Sequence, residues 1–353
     1  LLLIVVLLVV IGLVILYSTS AYNGQVKFHD SFYYLKKQAF ATVLGIVLML
    51  FVAGMDYHIW QRLAVFGYLA AVALSVAVML FGREINGSKR WLALGPFSFQ
   101  PSEFAKVALI LFLADLVTKN VKTIGKMWTL CRIMFWILPI VGLVGASNLS
   151  TAIIILGIGV ILIFVASPKY AQFALMGLAG ACFMGIFLAL ESYRLERLAI
   201  WRNPEKYEKG YQTLQGLYAI GSGGVFGVGL GNSVQKLGFV PEAQNDMIFS
   251  IICEEMGLTG AIILILIFAL LLWRLCVISM NCQELSGAMI AAGIMGHLAI
   301  QVILNIAVVT NTIPNTGITL PFISYGGTSI VFLLGEMGLA LNVSRQKNNP
   351  PTR

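Results

Sequence analysis

The chain has 353 residues, of which 59% are hydrophobic and only 11% charged, with a mean hydropathy of +0.90 and a formal net charge of +8. This excludes a water-soluble globular domain, whose core never needs so much apolar surface; apolar runs of about 17 to 25 residues read as membrane-spanning helices. Five cysteines with no CxxC pair and three scattered histidines argue against a disulfide framework and against a Cys/His metal site.

The chain opens inside an apolar run, LLLIVVLLVVIGLVILY, with no basic leader and no small-residue cleavage site. It reads as a retained first span, with the residues that precede it outside this sequence, and not as a signal peptide. Hydropathy places ten spans, at about 1–17, 38–54, 63–82, 103–117, 133–147, 151–166, 171–190, 247–273, 285–311 and 323–343. Backbone in lipid must satisfy its own hydrogen bonds, so the expected fold is all-α: one polytopic integral membrane domain over residues 1–353. An even number of spans puts both termini on one side, and no inverted repeat of the transporter kind is visible.

Charge leaves the orientation open. With the termini inside, the inner segments carry ten Lys/Arg and the outer ones twelve, six of those within 191–245. Long loops weigh little in the positive-inside rule. A basic outer side nonetheless points to an anionic ligand there, although basic residues flanking spans also meet anionic lipid. Two outer segments, 83–102 and 191–246, are too long to be plain connectors, and their aromatic and apolar content argues against disorder.

The first of these runs into FQPSEFAK (99–106). Pro101 suits a first helical turn and Glu103 the positive end of a helix dipole. Glu103 and Lys106, at i and i+3, can pair on one face. Lys106 falls within a span, where a charge is costly and faces a cavity or a partner. In the second, EKGYQTLQGLYAIG (208–221) fits an amphipathic half-helix on or in the bilayer surface that brings Gln212 and Gln215 together, for packing or for substrate contact. GSGGVFGVGLG (221–231) has neither the GxxxxGK[ST] nor the GxGxxG register, so its glycines suit tight re-entrant backbone and no nucleotide is expected.

Asp246 stands at the mouth of the next span, in FVPEAQNDMIFSIICEEMG (239–257). A polar ND before an apolar run is an N-cap signal, so spacing leaves helix cap and active group both open. Glu254 falls about 80° and Glu255 about 180° around the helix from Asp246. That excludes a glycosidase-type carboxylate pair of Asp246 with Glu255. Further on, His297, Gln301 and Asn305 recur every four residues as a polar stripe, expected to serve interhelical hydrogen bonding. Glu336 is another intramembrane charge whose role spacing leaves open.

Three stretches together carry a resemblance: NGSKRWLALGPFSFQPSEFAK (86–106), GYQTLQGLYAIGSGGVFGVGLGNSVQKLGFVPEAQNDMIF (210–249) and NTGITLPFISYGGTS (315–329). In this order, over nearly the whole chain, they resemble the SEDS family of shape, elongation, division and sporulation proteins, and the FtsW and SpoVE branch more than RodA. The resemblance implies a peptidoglycan glycosyltransferase that polymerises lipid II on the outer face of the bacterial cytoplasmic membrane. It implies cytoplasmic termini and a class B penicillin-binding protein as partner. The family's catalytic aspartate falls on Asp246, and its cavity residues on Glu103 and Lys106.

Polymerisation needs a sugar hydroxyl activated as a nucleophile, so Asp246 is the candidate general base. The leaving pyrophosphate needs positive charge, for which Arg90, Lys106, Arg194, Arg197 and Lys236 are candidates, helped by a divalent cation such as Mg or Mn. Gln212, Gln215, Ser324 and Tyr325 complete the expected substrate contacts. Glu254 and Glu255 are expected to be structural or partner-responsive. The chain departs from the family in reading NDMIF where TDFIF is frequent, and SNLST (147–151) where many members have PDLGT, so that Asn148 replaces an acid. Ser98 stands where some RodA proteins carry Arg. A lipid II flippase or transporter, and a non-catalytic scaffold for a cell-wall transpeptidase, are the alternatives.

Overall fold

In hydrocarbon each backbone N–H and C=O must find its partner within the segment, and the apolar runs meet that demand as helices. The computed structural model describes all residues except 86–87, 95–96, 168, 170, 175–176, 178–198 and 347–353. In chain order the helices are α1 (Leu2–Phe28), α2 (Tyr33–Gly54), the short α3 (Tyr57–Arg62), α4 (Ala64–Phe81), α5 (Pro101–Asn120), α6 (Met127–Ser147) and α7 (Leu149–Ala166). They continue with α8 (Tyr211–Ser222), α9 (Ile248–Met280), α10 (Leu285–Val309) and α11 (Gly327–Gln346). Nine of the ten expected spans coincide with these helices; the range 171–190 falls largely outside the described residues.

Eight helices among the described residues (α1, α2, α4, α6, α7, α9, α10 and α11) are long and apolar enough to cross a membrane. The chain is a multi-pass membrane protein. At 20 residues α5 is as long, but Glu103, Lys106, Asp115 and Lys119 lower its hydropathy. Its place in the fold explains how it tolerates them: α5 packs against α4, α6, α7, α10 and α11 and is buried on most of its surface. The bundle, not lipid, surrounds Glu103 and Lys106. The most extensive pairing joins α2 and α11. There a Cβ on Gly338 would come within 2.5 Å of the Met49 carbonyl oxygen, so only glycine lets the two backbones approach so closely.

Outside the spans the helix-only expectation is incomplete. The 83–102 segment folds into a three-stranded antiparallel sheet, β1 (Arg83–Ile85), β2 (Ser88–Leu94) and β3 (Phe97–Phe99) in that order, with Arg83 opposite Trp91 and Leu92 opposite Phe99. Past the bilayer core, backbone groups can pair between segments, and the aromatic and β-branched pattern then favours strands.

The 191–246 segment contains the expected half-helix as α8, which buries Thr213, Gly216 and Ala219 along one face at helical spacing. The glycine-rich run after it feeds into a break in α9. Gly257 there has φ 65° and ψ −167°, a conformation open essentially to glycine alone. The amides and carbonyls the break releases are taken up by the loop. Val228 N donates to Glu254 O and Gly229 N to Glu255 O, both at 3.0 Å, while Leu258 N donates to Gly224 O at 3.0 Å and Thr259 N to Val225 O at 3.1 Å. A Cβ on Gly257 would lie 2.4 Å from Gly227 N. Close backbone approach is thus what the glycines provide.

Candidate active site

Residues 241–247 wind through turns, so the N-cap of α9 is Met247 and no side chain caps the helix. Of the two readings that spacing leaves open, this geometry does not make Asp246 the cap of α9: its carboxylate stands one residue before the N-cap and meets the backbone N–H groups of Asp246 and Met247. Its backbone is held firmly. Asn305 Nδ2 on α10 donates to Asp246 O at 2.9 Å and to Ile318 O at 2.7 Å. Gln212 Nε2 on α8 stands 3.5 Å from Asp246 Oδ1, long for a hydrogen bond, and Gln212 Oε1 accepts from Asn315 Nδ2 at 3.2 Å. Gly317, in the left-handed region at φ 69°, passes so close that a Cβ there would lie 3.7 Å from Asp246 Oδ2. Three segments (α8, the 315–318 loop and the start of α9) therefore converge on one carboxylate.

Part of the Asp246 side chain stays accessible, although dense protein surrounds it. Burial pushes its carboxyl up to about 6 and Glu242 adds to the rise, while the backbone N–H groups of Asp246 and Met247, and more weakly Arg90, work against it. A carboxylate tuned there is basic enough to accept a proton and still ionised near neutral pH. Arg90 reaches Asp246 electrostatically, and its Nε donates to Ser147 O at 3.1 Å beside a small cleft lined by Ser102 and Asn148. Asn148 itself caps α7, accepting from Thr151 N at 3.2 Å, so an amide serves there as well as an acid would.

Below this carboxylate lies a buried polar line. Lys106 Nζ pairs with Glu103 Oε1 at 2.9 Å and donates to Gln301 Oε1 at 3.3 Å. Gln301 Oε1 also meets His297 Nε2 at 2.8 Å, and His297 Nδ1 meets Glu336 at 2.9 Å. Among the described residues the second oxygen of Glu103 is buried with no close hydrogen bond, the Ser329 hydroxyl being a looser contact of the same carboxylate; a substrate hydroxyl or a water can satisfy it. The polar stripe does serve interhelical bonding, and it gathers Glu336 into the same line.

Other expected site residues have different surroundings. Lys236 pairs with Glu255 Oε1 at 2.6 Å and donates to Ser18 Oγ at 3.0 Å, so its charge is matched inside the protein. Ser18 in turn donates to Glu255. Glu254 accepts from the Ser233 hydroxyl and from Val234 N at 3.0 Å. The adjacent acids thus clasp residues 233–236 onto α9, closing a loop with Asp246 at its middle. Ser324 Oγ accepts from Leu320 N at 2.8 Å and closes the 320–325 turn, and Tyr325 N donates to Gln244 O at 2.9 Å, holding that turn against the Asp246 segment. Gln215 is half-buried on α8. Ser98 accepts through its carbonyl from Thr328 Oγ1 at 3.0 Å. Arg194 and Arg197 lie outside the described residues.

Sequence reasoning missed Asn315, which steadies Gln212, and Gln38, whose side chain bridges Ser324 O at 3.4 Å and Gly326 N at 3.1 Å. A buried glutamine at the mouth of an apolar span was the available signal for Gln38.

The chain as a whole is similar to known proteins. The family model described as a cell cycle protein, for FtsW, RodA and SpoVE, matches residues 1–349. Stage V sporulation protein E of Bacillus subtilis is similar at 40% identity over 98% of this chain and 96% of its own length. A probable peptidoglycan glycosyltransferase FtsW of Trichlorobacter lovleyi is 36% identical over 98% of this chain and 92% of its own. Among solved structures, a chain of a peptidoglycan synthase complex, described as coordinating polymerization and crosslinking, matches with a TM-score of 0.85 at 30% identity, over 99% of this chain and 97% of that one. The rod shape determining protein RodA of Thermus thermophilus matches with a TM-score of 0.73 at 30% identity, over 98% and 96%.

Proposed function

The chain belongs to the FtsW, RodA and SpoVE family of cell cycle proteins, and from that premise we propose that it is a peptidoglycan glycosyltransferase polymerising lipid II at the membrane face that carries Asp246. The observation that carries the reading is the Asp246 carboxylate itself: uncommitted to a cap, partly accessible and raised to about 6.

In the proposed reaction the 4-hydroxyl of an acceptor sugar attacks the anomeric carbon of a donor. The new C–O bond forms as the bond to the lipid pyrophosphate breaks, and that group leaves with the electron pair. Asp246 takes the hydroxyl proton as general base, a contribution of about 10²–10⁴ in rate. Gln212, steadied by Asn315, borders the carboxylate and orients the acceptor. Lys106 and Arg90, with Arg194 and Arg197, balance the charge that develops on the pyrophosphate. Lys236 enters indirectly, through the clasp that shapes the loop.

A divalent cation, Mg or Mn, would supply further charge for the pyrophosphate. Among the described residues no three His, Cys, Asp or Glu side chains gather into a cage. Asp246 and the substrate's own phosphate oxygens are the donors on offer, a set that suits magnesium; none of the steps above is routed through a metal. A class B penicillin-binding protein is the proposed partner, supported by the similarity to a chain of a peptidoglycan synthase complex. The Asp246 face is proposed to be extracytoplasmic and the termini cytoplasmic.

The test uses purified protein in detergent with labelled lipid II, with and without partner and cation. Wild type is expected to make polymer and Asp246→Asn none. Lipid scrambling in liposomes with no polymer under any condition would replace the transferase by a flippase. Full support of growth by Asp246→Asn in cells would point to a scaffold.

A further inference from the structure

Asn305, Gln301 and His297 lie on one face of α10, each about 6 Å deeper than the last. Asn305 holds the Asp246 backbone, Gln301 meets Lys106 on α5, and His297 meets Glu336 on α11. Lys106, His297 and Glu336 are each 1% exposed.

Donor and acceptor chemistry assigns the hydrogens along this line. The Thr319 carbonyl can only accept, so the Gln301 atom 3.0 Å from it is the amide nitrogen. The Lys106 ammonium can only donate, so the Gln301 atom 3.3 Å from it is the amide oxygen. That oxygen cannot donate, so His297 Nε2, 2.8 Å away, must carry a hydrogen. One more proton lies between His297 Nδ1 and Glu336, whose two oxygens are 3.0 and 2.9 Å from the nitrogen. Wherever that proton rests, the His297–Glu336 pair is net neutral, and so is Lys106 with Glu103. Neutral pairing is what a bundle interior at membrane depth demands.

We propose that His297 is a positioning residue for the Lys106 ammonium, acting through the Gln301 amide, and that Glu336 fixes the imidazole tautomer that does so. The Nε2–H bond holds the Gln301 oxygen toward Lys106. Without it the amide is tied through Thr319 alone and the ammonium loses its second acceptor. With no partner at Nδ1, the ring is free to move its hydrogen there and turn a lone pair on Gln301. The reading of Lys106 as part of the pyrophosphate-binding machinery underlies this inference.

The test compares lipid II polymerisation by wild type, Glu336→Leu, Glu336→Gln, Lys106→Gln and the Lys106→Gln/Glu336→Leu double variant. Glu336→Leu is expected to lower kcat about tenfold with KM changed less than about twofold, short of the roughly 10²-fold that a 1 Å misplacement can cost. Glu336→Gln, which still donates to Nδ1, restores most of that loss. In the Lys106→Gln background Glu336→Leu has no further effect. The same tenfold loss on top of Lys106→Gln, or no rescue by Gln, would overturn the proposal. A second readout needs no turnover: the chain has three histidines, so ¹⁵N-histidine NMR can isolate the His297 ring by difference with His297→Gln. A hydrogen on Nε2 in wild type and Glu336→Gln is expected, and a bare Nε2 would refute the chain. If wild type makes no polymer, the glycosyltransferase reading fails, while the NMR still judges the hydrogen-bond line.

Discussion

Replacing Glu255 with Leu removes one half of a buried ion pair and leaves the other half stranded. Lys236 is 6% and Glu255 2% exposed, and their charged atoms are 2.6 Å apart. Once Glu255 is gone, the hydrogen-bond acceptor left to the ammonium among the described residues is Ser18 Oγ at 3.0 Å, a neutral hydroxyl. Leaving such a charge uncompensated costs about 3–5 kcal/mol. Removing both charges in Lys236→Met/Glu255→Leu is expected to be neutral or stabilising, since desolvation of both ions is relieved together. Ser18→Ala, which deletes one hydroxyl from the same cluster, is expected to cost about 1 kcal/mol. Equilibrium unfolding in mixed micelles, followed by circular dichroism, measures all three. A Glu255→Leu cost below about 1 kcal/mol, or a double variant as unstable as the single one, would refute the view that this pair clasps residues 233–236 onto α9.

Three further outcomes follow from the geometry. Because burial raises the Asp246 carboxyl from 3.8 to about 6, its charged form costs the folded state stability above that range; Asp246→Asn should therefore stabilise the protein at neutral pH by at most about 3 kcal/mol, less for the part of the side chain that meets water. The gain should vanish below about pH 4, and a destabilised Asp246→Asn at neutral pH would contradict it. Gly257→Ala meets both a left-handed φ and the Gly227 backbone, so a loss of at least about 1–3 kcal/mol is expected in the same unfolding assay, and wild-type stability would show that the loop can retreat. On the opposite face, burial alone would lower His58, but Asp56 at 2.6 Å and Glu284 at 2.7 Å outweigh it and raise the imidazole. That latch is fully in place below the unfolded-state value of about 6.5 and is lost as pH rises through the raised folded value. The melting-temperature gap between wild type and His58→Gln should accordingly close at alkaline pH, and a gap independent of pH would remove His58 from the latch.

Much of the fold was legible because hydropathy and helix geometry act locally. Nine of the ten spans, the half-helix around Gln212 and the His297–Gln301–Asn305 stripe all depend on spacing within one segment, and the described residues have them where the spacing put them. What spacing could not show is which segment meets which. Glu336 had no role until α11 brought it to His297, and Lys236 resembled a free cation until α9 brought Glu255 to it. The strands of 83–99 were hidden because their hydrogen-bond partners lie across turns, not within one period. Spacing left Asp246 open between cap and active group because ND before an apolar run suits both; the turns of 241–247 put the N-cap at Met247, and no side chain caps α9.

The central claim is that Asp246 accepts a proton during glycan polymerisation, and the most direct measurement is the initial rate of lipid II polymerisation by wild type and Asp246→Asn between about pH 5 and pH 8. The account predicts a wild-type rate that falls as pH drops through about 6, where the carboxylate becomes protonated, and an Asp246→Asn rate lower by about 10²–10⁴ at every pH. A wild-type profile flat across that range, or polymer formed by Asp246→Asn within a few fold of wild type, would contradict it.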